Sequence, residues 1–97
     1  MLYQSLGIIE VIGIATATSC IDTMVKSAFV EVESVQRVGS GFIAIMVRGD
    51  LASVQVAVER GAEAAQRLGE VAAVSVIPRP YDGLEALIGP EKKGDQK

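Results

Sequence analysis

Apolar and polar residues recur along this chain with two different periods, and each change of period marks a change of element. Residues 6–11 are a short apolar run rich in β-branched side chains, which predicts a first strand, and Gly13 breaks it. Over 15–28 the apolar positions Ala17, Cys20, Ile21, Met24, Val25 and Ala28 fall at three- and four-residue intervals. That spacing predicts a helix with one buried stripe, and Thr16 or Thr18 is available as its N-cap. Residues 29–38 return to a period of two, with Glu31, Glu33 and Arg37 alternating against Val30, Val32 and Val38, the pattern of a half-wet strand. Gly39-Ser40-Gly41 turns the chain, and residues 42–47 are then apolar without interruption, as a central strand requires. The two runs are expected to pair as a hairpin.

Asp50 is a good N-cap for a second helix reaching Leu68, because Val54, Ala57, Val58, Ala62, Ala65 and Leu68 form one apolar stripe. Gly69 is expected to close it as a C′ residue. Residues 71–77 read as a fourth strand, stopped by Pro78-Arg79-Pro80 because neither proline can donate to a ladder. Residues 84–88 are expected to form a last helical turn. The order strand, helix, strand, strand, helix, strand gives an α/β (α+β) fold. It is a ferredoxin-like split β-α-β variant with a four-stranded antiparallel sheet and two main helices. Two helices cover one face of such a sheet. Its apolar strands then leave apolar surface on the other face or at a flank, which points to oligomerisation. Residues 1–89 are expected to be a single domain, and the polar, charge-rich residues 90–97 a disordered tail.

Composition narrows the picture. Of the 97 residues, 49% are apolar but only 4% aromatic, so the core must be built from Val, Ile, Ala and Leu. The net charge of −3 and the scattered Lys and Arg leave no concentrated basic patch to neutralise phosphates, which excludes nucleic acid as a partner. The single cysteine, Cys20, permits no intrachain disulfide and fits a reducing compartment. Residues 1–5 lack the basic opening and apolar run of an export signal. No stretch approaches the roughly 20 apolar residues of a membrane span, so no membrane role is expected.

Candidate chemistry is sparse. Histidine is absent, which removes the usual general base and the commonest transition-metal ligand; no catalytic residue, metal or cofactor is expected. Cys20 lies on the apolar stripe of the first helix, as a buried small hydrophobe. No glycine-rich loop precedes a helix in the manner of a nucleotide site, since Gly39-Ser40-Gly41 leads into a strand. Asparagine is also missing, which counts against an acylphosphatase-like hydrolase. Arg48-Gly49-Asp50 spells an adhesion tripeptide, yet a strand-ending glycine and a capping aspartate account for it. Asp22 and Lys26, and likewise Glu59, Glu63 and Arg67, read in isolation as solvated helix faces.

Taken together, the motifs Leu6-Gly7-Ile8-Ile9-Glu10, Met24-Val25-Lys26, Arg37-Val38-Gly39-Ser40-Gly41, Met46-Val47-Arg48-Gly49-Asp50, Gly61-Ala62 and Val76-Ile77-Pro78-Arg79-Pro80 carry a resemblance. The chain resembles the single-domain, hexamer-forming shell proteins of bacterial microcompartments, relatives of the propanediol, ethanolamine and carboxysome shell subunits. The resemblance covers about residues 6–88. It implies a structural, non-enzymatic subunit that assembles as a homo-hexamer in the bacterial cytoplasm. Its partners would be neighbouring shell hexamers, other shell proteins and encapsulated enzymes. It further implies that Gly39, Ser40 and Gly41 line the central pore. There glycines let backbones approach an axis closely, while Ser40 and the loop amides offer hydrogen bonds to small polar metabolites. Lys26 and Arg79 match the residues that bridge neighbouring hexamers. Two positions depart from the family pattern: Phe29 stands where a small polar residue is usual near the edge, and Ile12 replaces a basic residue before Gly13. The alternative reading is a ferredoxin-like regulatory module that binds a small molecule near Gly13 and forms dimers or trimers.

Overall fold

The computed structural model describes residues 4–69 and 71–78. They run β1 (Ser5–Ile12), α1 (Ile14–Ser27), β2 (Glu31–Gly39), β3 (Phe42–Gly49), α2 (Leu51–Leu68) and β4 (Val71–Ile77). The strands form one sheet in the order β2-β3-β1-β4, and every neighbouring pair is antiparallel. This is the split β-α-β arrangement that the pattern of periods predicts.

The alternation within the two central strands decides which face the helices cover. Ile9 and Val11 of β1 and Ile43, Ile45 and Val47 of β3 point into a core completed by Ala17, Cys20 and Met24 of α1 and by Val54, Ala57, Val58 and Ala65 of α2. The intervening residues Leu6, Ile8, Ile12, Phe42 and Met46 are only half-buried, because they lie on the face that carries no helix. The surplus of apolar strand surface is therefore present in the fold. The helices themselves meet at Gly61, where an added Cβ would stand 2.6 Å from Met24 Cγ and 3.1 Å from Cys20 Sγ. Only a residue without a side chain permits that approach.

Several element ends differ from expectation. Neither Thr16 nor Thr18 caps α1. Gly13 holds the N-cap position at φ 95° without a side-chain cap, while Thr18 lies inside the helix and donates its hydroxyl back to the Ile14 carbonyl at 2.9 Å. Gly69 ends α2, donating its N–H to the Ala65 carbonyl at 2.8 Å, but at φ −165° its backbone is extended rather than left-handed. Its small size has another cause: a Cβ there would lie 2.7 Å from Thr16 Oγ1. Val25, expected in the buried stripe of α1, is 44% exposed, because it stands over a groove between the last turn of α1 and the first turns of α2. Leu68 is 60% exposed, and Gly61 and Ala64 take the inward positions of α2. Strand β2 starts at Glu31, so Phe29 lies outside it. The expected turn over 84–88 and the tail over 90–97 lie outside the described residues.

Candidate functional site

The residues singled out by sequence gather at opposite ends of the sheet. At one end stands the hairpin between β2 and β3. Gly39 and Phe42 pair across it, and φ is positive at Gly39 (101°), Ser40 (54°) and Gly41 (83°). Positive φ at the two central residues, Ser40 and Gly41, is the requirement of the tight turn whose twist matches that of its strands. Apart from the adjoining residues of the chain, no heavy atom of the described residues lies within 4 Å of where a Cβ would stand on Gly39 or Gly41. Glycine is there for its backbone conformation, and the tip is left uncrowded. The Gly13 N–H donates to the Gly41 carbonyl at 3.1 Å, which ties the tip to the start of α1. All three residues Gly39, Ser40 and Gly41 are exposed.

At the other end, β3 runs into α2 and α1 runs into β2. Eight strand residues at about 3.3 Å each put this junction roughly 25 Å from the hairpin tip. Asp50 caps α2 as expected, its carboxylate accepting from the Ser53 N–H at 3.2 Å. Lys26 lies in the last turn of α1, exposed, with its ammonium 3.3 Å from Asp22. It also lines a groove of about 400 Å³ with Val25, Ala28, Phe29, Ala52 and Val56. Arg79, the second expected edge residue, lies outside the described residues.

One constellation at this end has no counterpart in the sequence pattern. Arg48 reaches across the hairpin to the carboxylates of Glu31, at 2.5 Å, and Glu33. A register shift between Val32 and Ser34 inserts Glu33 into the strand beside Glu31, so both acids meet one guanidinium. The Glu33 hydrogen bond and the charges of both glutamates push the Arg48 pKa further above its ordinary value. Counting back from the Gly39-Ser40-Gly41 turn brings Arg48 opposite β2, but the inserted residue that gathers both acids leaves no local sequence signal. With Arg48 engaged, Gly49 buried and Asp50 capping α2, Arg48-Gly49-Asp50 is not presented as an adhesion loop.

Cys20 is fully buried in the core, and burial pushes its thiol up to about 11, so it stays protonated at neutral pH. Among the described residues no three His, Cys, Asp or Glu side chains gather as a metal site. No helix among them is long and apolar enough to cross a membrane.

The chain is similar over most of its length to known proteins. The family model described as BMC domain matches residues 5–80. The chain is 42% identical over 88 residues to the bacterial microcompartment shell protein PduA of Citrobacter freundii, covering 91% of this chain and 95% of that one. It is 44% identical over 92 residues to the bacterial microcompartment shell protein EutM of Escherichia coli strain K12, covering 95% of each. Among solved structures, a microcompartments protein from Desulfitobacterium hafniense DCB superposes with a TM-score of 0.74 at 29% identity. The match covers 82% of this chain and 43% of that longer one.

Proposed function

The chain belongs to the BMC domain family, and from that premise we propose that it is a shell subunit of a bacterial microcompartment, assembling as a cyclic hexamer whose copies tile a porous sheet. Like the shell proteins it matches, it is a structural protein and not an enzyme. The observation that carries the reading is the match over nearly the full length of relatives described as shell proteins. The apolar side chains on the helix-free face and the exposed edge strand β4, with Val74 and Ile77 open, agree with a subunit made to associate.

In this reading Gly39, Ser40 and Gly41 line the central opening. A tip free of crowding atoms lets several copies converge on one axis. The exposed Ser40 hydroxyl and the turn amides then offer donors and acceptors to a passing solute. Aperture and donor pattern together favour small hydroxylated or anionic metabolites over bulky cofactors and apolar gases. Lys26 and Arg79 bridge neighbouring hexamers. The long stem of Lys26 lies along the adjoining subunit while its ammonium meets carbonyl oxygens, and Arg79 sets a planar fork across the seam. The shell domain spans residues 1–89, with 90–97 as a charged tail. Other shell proteins and enclosed enzymes are its partners, within the bacterial cytoplasm.

Light-scattering mass of the purified protein tests the reading. A hexamer is expected; a dimer or trimer at every concentration and salt would overturn it.

A further inference from the structure

Phe29 is the most exposed large apolar residue among those described, at 94%. Its position has a local cause. The Val30 N–H donates to the Ala28 carbonyl at 3.0 Å, closing a three-residue turn with Phe29 at its apex. Behind it the Phe29 carbonyl oxygen lies 2.9 Å from where a Cβ would stand on Gly49, so the turn is seated against β3. The ring is thereby held out from the surface on the rim of a groove of about 400 Å³ that it lines together with Val25, Ala28, Ala52 and Val56. A bulky apolar knob and an apolar hole thus share one patch of one chain. The charges on that patch also come in both signs, since Lys26 on the groove and Asp22 one turn before it are both exposed.

A surface that carries its own complement meets a second copy of itself around a two-fold axis, where each element of one copy faces its counterpart on the other. We propose that Phe29 and this groove form a self-complementary docking site at which two copies of this chain exchange Phe29 rings, with Lys26 of each facing Asp22 of the other. The proposal rests on the shell reading for its setting: the two copies belong to adjacent hexamers, and Phe29 is the apolar anchor of the seam that Lys26 borders. Burying an exposed phenylalanine side chain is worth enough to change an association constant about tenfold to a hundredfold.

The chain contains no tryptophan, so Phe29→Trp introduces a single emission probe at the anchor. On assembly its emission is expected to shift to the blue and to lose accessibility to acrylamide. Phe29→Ser is expected to raise the concentration needed for sheet formation about tenfold or more while the hexamer mass and circular dichroism stay unchanged. Val56→Asp, placed on the groove wall and combined with Phe29→Trp, should abolish the blue shift without touching the indole itself. Sheets in which the probe stays as exposed as in free hexamers, or Phe29→Ser sheets forming at the parent concentration, would overturn the proposal and leave the shell reading standing. A protein that never exceeds a dimer, with the probe buried in it and Phe29→Ser monomeric, would sink the shell reading and leave the exchange standing.

Discussion

The two ends of the sheet are made from opposite materials. The hairpin end is glycine and serine, exposed, with positive φ at three successive residues and empty space around the tip. The junction end is crowded: a lysine, an apolar groove, a projecting phenylalanine and a cross-strand Arg48 trio converge where both helices meet the strands. A tip without side-chain bulk suits close convergence of backbones around an axis and contact with solutes. A charged and apolar surface suits contact with another protein surface. Between them lies a rigid sheet about 25 Å long, so a change at one end need not be felt at the other.

That separation lets substitutions at either end be read independently. The largest effect is expected from Lys26→Asp, which reverses the charge at the junction. Extended sheets should disappear from electron micrographs while the light-scattering mass remains that of a hexamer; loss of the hexamer itself would mean that the junction end also serves assembly within the ring. Next, Ser40→Leu should leave sheets intact. It should lower the flux of a small hydroxylated solute through reconstituted shells by about tenfold, the scale of one hydrogen bond with its surrounding aperture. Equal flux would show that the tip is not the constriction. A smaller change is expected from Gly39→Val, where a β-branched residue must adopt φ 101°: about 1–2 kcal/mol of stability in urea titrations. At the opposite end Asp50→Ala should cost about 1 kcal/mol by freeing the Ser53 N–H, measured in the same way.

The two ends also differ in how far residues alone disclose them. The hairpin is legible because its chemistry is local: glycines flanking one small polar residue between two β-patterned runs specify a turn whatever surrounds them. Asp50 is legible for the same reason, a capping side chain acting within three residues of itself. The junction is not. Phe29 reads as a strand residue by its apolar neighbours, and only the tight turn at Ala28–Val30 and the seat on Gly49 put it outside the sheet and into solvent. Val25 belongs by spacing to the buried stripe of α1, and its exposure follows from where α2 begins relative to the last turn of α1. The Arg48 trio depends on two register irregularities in β2, at Val32/Ser34 and at Arg37/Gly39, and the first has no proline or glycine beside it to announce it. Gly69 reads correctly as a helix end, but its small size answers to Thr16 on the other helix, a contact distant in sequence that no cap motif encodes.

Negative-stain electron microscopy of the purified chain separates a shell subunit from a small closed oligomer. Rings with sixfold symmetry that join into sheets or tubes as concentration rises are expected. Discrete particles of twofold or threefold symmetry that never form rings under any condition would contradict the shell reading.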